Sequence, residues 1–109
     1  MSTGVEAIAA ERQRQITAEG WSAEHDDNHD SGELSGAGAA YALNAACMLY
    51  PFNGTEIEDP TLVGWPARWG ITAWKPKSPR EDLVRAGALI AAEIDRLDRA
   101  SEQEGKGDA

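Results

Sequence analysis

The segment "EGWSAEHDDNHDSGEL", residues 19 to 34, holds both histidines of the chain and a run of carboxylates, just ahead of a long apolar stretch. His25, His29 and Glu33 are spaced by fours. A continuous helix would point all three the same way, with Asp26, Asp27 and Asp30 at the flanks. Imidazole with carboxylate suits zinc, manganese or iron, and a carboxylate subset suits magnesium. His25, Asp27, His29 and Glu33 are therefore candidate metal ligands. The same residues carry a second reading. Asn28, Asp30, Ser31 and Gly32 favour a turn and a helix cap over helix interior, and acids there would face the positive end of the next helix. The spacing is compatible with both a metal site and a capped acidic turn.

A second cluster has the opposite sign. From Thr61 to Arg80, "TLVGWPARWGITAWKPKSPR" carries Arg68, Lys75, Lys77 and Arg80 and no acid, in a chain with 19 acids against 10 Lys and Arg. Basic groups attract phosphate, and Trp65, Trp69 and Trp74 offer faces on which a base can stack. With a divalent ion on the nearby acids, the two clusters would form a nucleotide site, the base on an indole and the phosphates between cations and metal. The candidate ligand-binding residues are Trp65, Arg68, Trp69, Trp74, Lys75 and Arg80. The alternative is that the indoles anchor a long connection onto a core short of large side chains.

Three helices must position these clusters. Val5, Ile8, Ala9 and Ile16 recur at helical spacing, and Gly20 follows as a stop. A second helix starts near residue 30, where Asp30 or Ser31 can cap, and runs through "LSGAGAAYALNAACMLY" to Pro51. Its glycines and alanines make sense if another helix packs closely on them. The third starts at Ser78, with Pro79 in the first helical position and Glu81 closing a capping box. Its stripe of Leu83, Ala86, Ile90, Ile94 and Leu97, widened by Val84, Gly87, Ala88 and Ala91, implies a central, buried helix. Glu93 within it needs a partner, and Arg14, Arg85 and Arg96 are the candidates. Residues 51 to 79 form an unusually long connection, in which "TLVGW" has the length of one short strand. "SEQEGKGDA" has no large apolar residue and is expected to be a disordered tail at 101–109, leaving 1–100 as a single helical domain.

The expected fold is all-α, a compact bundle of three main helices plus a long Trp/Pro-rich loop, completed by homo-oligomerisation because 109 residues rich in alanine bury little area. A formal charge of −9 argues against duplex nucleic acid and against an anionic membrane surface. No apolar run approaches the ~20 residues of a membrane span. The expected location is the cytoplasm. Cys47, alone, cannot close an internal disulfide and reads as a small hydrophobe in "AACMLY".

The strings "ERQRQ", "EGW", "EHDDNHDSGEL", "YA", "WP", "WKP" and "DLVRAGALIAAEIDRL" together resemble a family of small proteins encoded by phages and prophages, over about Glu11 to Arg99. More remotely, "GEL" and the later "EDLV" resemble the MazG-type all-α nucleoside triphosphate pyrophosphatases, which hold magnesium through acids on two adjacent helices. That resemblance implies Glu33 and Asp82 as catalytic acids and metal ligands, magnesium or manganese as cofactor, and a nucleotide as substrate. Metal-bound water would attack a phosphorus, and Lys75 or Arg80 would stabilise the phosphate charge. The sequence departs from that pattern at Gly36 and Ala37, one turn after Glu33, and at Arg85, one turn after Asp82. Two other expectations stand beside the phage-type metal-dependent pyrophosphohydrolase, acting in the host cytosol. One is a protein that binds and sequesters a nucleotide or defence signal without turnover, and the other is an acidic inhibitor of a protein partner.

Overall fold

Local capping chemistry sets the start of each helix. Thr3 and Glu6 form a reciprocal capping box, with N–H to oxygen distances of 3.1 and 3.2 Å, and launch α1 (Gly4–Thr17). Gly20, at φ +73°, lets the chain turn back so that the Trp21 N–H donates to the Gln15 carbonyl at 2.9 Å. Ser22 then caps a short helix, α2 (Ala23–Asp27), by accepting from the His25 N–H. The long helices are α3 (Glu33–Leu49) and α4 (Pro79–Gly107), the latter capped by the Ser78 hydroxyl accepting from the Glu81 N–H at 3.1 Å. The computed structural model describes residues 2–49 and 59–107, with side chains to Gln103. Pro51 and the connection through residue 58 lie outside the described residues, as do the last two of the chain.

Helices α3 and α4 form the largest interface, running antiparallel: Ser35 meets Glu93, Gly38 meets Ile90, and Asn44 meets Asp82. The small residues of α3 are what allow it. A Cβ on Gly38 would lie 3.1 Å from Ile90 Cγ1 and 3.3 Å from the Ala86 carbonyl. The buried core is accordingly fine-grained, with Leu34, Tyr41 and Leu89 the large members among Ala37, Ala40, Ala45, Ala86, Ala88 and Ala92. Helix α1 packs on α4 through Ile8, whose side chain fills the place a Cβ on Gly87 would occupy.

The tryptophan loop covers this core. Three single 3₁₀ turns, Pro60–Leu62, Ala67–Trp69 and Ile71–Ala73, replace the short strand expected at "TLVGW", and the described residues contain no strand. Asp59 accepts from the Thr61 N–H and Pro60 takes the first position of the turn, which commits the segment to a tight bend. Gly64, at φ +95°, lays its backbone directly on that of Gly36 in α3. Trp65, Trp69 and Trp74 pack against the core, and the Trp65 Nε1–H donates to the Gly70 carbonyl at 2.9 Å.

Two expectations change. Leu83, Ile90, Ile94 and Leu97 are each about half exposed, because α3 and α1 take the other faces of α4. The segment read as a tail is helical through Gly107, since α4 is already nucleated and Glu102, Gln103 and Glu104 propagate it at little cost.

Replacing Gly64 by Ala is expected to cost about 2–3 kcal/mol, because a side chain is strained at positive φ and would collide with the Gly36 backbone. The same change at Gly4, where a Cβ meets nothing within 4 Å, should be neutral or slightly stabilising. Chemical denaturation of the two variants checks both.

Candidate functional site: an aromatic cleft with a basic annex

The rings form one connected array. Trp21 stacks on His25 (centroids 5.8 Å apart), His25 meets His29 edge-on at 4.9 Å, and His29 meets Trp69 at 5.2 Å. Trp69 then meets Trp65 at 5.5 Å, and Trp65 contacts Trp74 and Tyr41 at 5.0 and 5.7 Å. Tyr41 is the node on the core side. It stacks on Trp74 at 4.6 Å, lies under the Arg85 guanidinium at 5.1 Å, and its hydroxyl accepts from the Lys75 N–H and Arg85 Nη1, both at 3.2 Å. Arg85 also donates to the Lys75 carbonyl at 2.7 Å, fastening the end of the loop to α4.

Trp21, Tyr41, Trp65 and Trp69 wall a cavity of about 190 Å³. Gln15 contributes to the same wall, fully buried; its Nε2 donates to Glu11 at 3.3 Å and its Oε1 has no partner among the described residues. A second cleft of about 450 Å³ adjoins the first and carries Lys75, Lys77 and Arg80. Glu11, Arg14, Glu19, Lys75 and Arg85 border both compartments. Arg14 grips both oxygens of Glu11 at 2.7 and 2.9 Å and one of Glu19 at 2.9 Å. That grip holds the Glu11 carboxyl below its ordinary range and raises the Arg14 guanidinium further. With those two acids so engaged, Lys75 and Arg80 face an incoming ligand together with Lys77, whose ammonium lies 3.9 Å from the exposed Glu81 on the same rim.

The acidic candidates are dispersed. His25 Nδ1–H donates to Asp26 at 3.2 Å, and His29 Nδ1–H donates to Glu33 at 3.3 Å. Glu33 also accepts from the Ser31 N–H at 2.7 Å, fastening the turn that leads into its helix. Asp27 is held by Arg99 of α4 at 2.8 Å. Asp82 is buried, one oxygen accepting from Asn44 Nδ2 at 2.9 Å and the other from the Lys77 N–H at 2.8 Å. Asn44 is eleven residues beyond Glu33 on α3, so Glu33 and Asp82 sit about 16 Å apart along the helix pair. The described residues contain no group of three histidine, cysteine or acidic side chains placed to hold a metal ion. The expected magnesium or manganese set does not fit this arrangement. Asp26, fully buried on Arg12 at 2.8 Å, is likewise a structural pair.

The basic candidates divide. Trp65, Trp69 and Lys75 line the aromatic cavity, and Arg80 borders the annex. Arg68 lies across the loop, in a separate cleft with Glu33. Trp74 supports the wall from behind, stacked on Tyr41. Gln15, Trp21, Tyr41 and Arg85 were not singled out as site residues from sequence. The polar run "ERQRQ" on an amphipathic helix was the available signal for Gln15, and a Tyr amid alanines was the signal for Tyr41.

No family model, no curated protein and no solved structure matches this chain.

Trp74→Ala is expected to lower stability by about 2–3 kcal/mol, the range for removing a large aromatic from a half-buried position, while changing ligand affinity little. Thermal melts paired with titrations separate the two effects. The Arg14 grip has a pH signature. Because folding lowers the Glu11 carboxyl below its usual value of 4.5, the pairing contributes above that value and is lost as pH falls through the lowered one. Tryptophan fluorescence should report loosening of the cleft below about pH 4.5, and Glu11→Gln should flatten that response.

Proposed function

We propose that the chain binds a mononucleotide without hydrolysing it, the base between the indoles of Trp21, Trp65 and Trp69 and the phosphates at Lys75 and Lys77. The observation that carries this reading is the joining of an aromatic compartment to a basic one across a shared rim. Indole faces stack any base, at about 1–3 kcal/mol each, and ammonium groups beside them take phosphate oxygens as point charges. The buried Gln15 Oε1, which has no donor among the described residues, adds a polar acceptor in the same wall, the type of group a base N–H satisfies. A sequestering role, for a nucleotide or a nucleotide-derived signal, follows from a site with stacking and charge but without an assembled metal cage. The metal-dependent pyrophosphohydrolase implied by the resemblance would require Glu33 and Asp82 to share an ion across the roughly 16 Å from Glu33 to Asn44.

Isothermal titration with nucleosides and their mono- and triphosphates, with and without a chelator, tests the proposal. Binding that survives chelation and releases no pyrophosphate is expected. Trp69→Ala should weaken it about 10- to 100-fold, and Lys75→Ala should erase the advantage of the phosphorylated ligand over the nucleoside. Pyrophosphate release with manganese would replace the proposal by the hydrolase, and no binding by any nucleotide would end it.

A further inference from the structure

The stripe on α4 is patterned for burial and is not buried. Leu83, Ile90, Ile94 and Leu97 lie at spacings of seven, four and three, the seam of a coiled coil, yet they are 46, 45, 54 and 53 % exposed. Val5, one turn before Ile8 on α1, is exposed as well. The helix lengths account for part of this. At 29 residues α4 extends about 43 Å, whereas the 17 residues of α3 reach about 25 Å and leave the second half of α4 less covered.

We infer that this face is the interface of a two-fold dimer, α4 packing antiparallel on the α4 of a second copy. The register is self-complementary. Leu83 and Leu97 are equidistant from Ile90, so a two-fold axis at Ile90 sets Leu83 against the partner's Leu97, and Leu97 against the partner's Leu83. The charges select the same direction. Arg80 and Asp98 are eighteen residues apart, five full turns, and so share one flank of the seam. Antiparallel pairing keeps this flank on one side of both helices and brings Arg80 beside the partner's Asp98, whereas a parallel two-fold places the flank on opposite sides of the seam, with Arg80 and Asp98 at opposite ends. Arg85, two residues after Leu83 and roughly 200° around the helix, faces the aromatic cleft, so that cleft stays open in the dimer, while Arg80 stands where the basic annex meets the interface.

Sedimentation across a concentration series, with far-UV circular dichroism on each sample, tests the inference. The wild-type chain should reach twice its 11.7 kDa mass. Leu83→Lys and Leu97→Glu, each at a half-exposed position, should each weaken the dimer about tenfold or more while keeping the helical signal. The chain carrying both changes should dimerise again, because the antiparallel register pairs each new lysine with a new glutamate. A wild-type monomer at all concentrations would overturn the inference and leave the face to a different partner. Dimers insensitive to the single changes would place the interface elsewhere, and failure of the double variant to recover would exclude this register.

Discussion

The close contact of α3 with α4 is the constraint from which the remainder follows. Alanine and glycine on α3 let the helices approach until a Cβ on Gly38 would sit at 3.1 Å from Ile90 and 3.3 Å from the Ala86 carbonyl, tighter than ordinary contact. Close approach gains contact and loses bulk. An alanine-filled interface removes little apolar surface per residue, and with Leu34, Tyr41 and Leu89 as its large buried members it needs mass from outside the helices. The tryptophan loop supplies that mass from above and Ile8 from the side. An aromatic roof over a small-residue floor leaves gaps between flat rings, and the cleft is one of them.

Buried polar groups follow the same economy of space. Asp82 with Asn44, Glu93 with Ser35 and Arg96, and Asp26 with Arg12 each join two elements or lock one end of a helix. A buried carboxylate is tolerable when its partners are fixed, and in a thin core such pairs set the register that small apolar side chains specify poorly. Polar residues that share faces of α3 and α4 thus serve to pin those helices together. The carboxylates that resembled a metal set are consumed by the fold.

How much of this could be read from the residues depended on whether a signal was local. The three main helices were legible because their caps and stops lie within a few residues of one another, as with Ser78, Pro79 and Glu81. The short α2 was not, because a single turn resting on the Ser22 cap has no periodicity to read. The stripe on α4 was read correctly as apolar, and Ala86 and Ala88 are buried, but Leu83, Ile90, Ile94 and Leu97 are half exposed, since the sequence records what a face is suited to and not whether the same chain covers it. His25 and His29 posed a related difficulty. Their four-residue spacing is real, but the chain leaves the helix between them at Asn28, and each imidazole settles between a ring and a carboxylate. Trp65, Trp69 and Lys75 were legible as a group because sign and aromaticity change together there. Gln15 and Tyr41 reach the cleft through tertiary packing that no local pattern encodes.

Charge adds a final consideration to the cleft. The chain carries −9 overall, while the charged residues from Thr61 to Arg80 are all basic. At physiological ionic strength a field decays over about 8 Å, so an anion approaching from a distance meets weak repulsion and senses Lys75 and Lys77 only near contact. Long-range steering is therefore absent, and a bound anion depends on short-range terms, chiefly stacking. Arg14 reinforces that balance. Together with Arg85, 4.0 Å from Glu11, it offsets the two carboxylates of Glu11 and Glu19 beside the lysines, and its bidentate grip on Glu11 keeps the edge of the aromatic wall in place. The rim pair thus sets both the electrostatics of the basic annex and the shape of the stacking compartment, which couples the two halves of the cleft through α1.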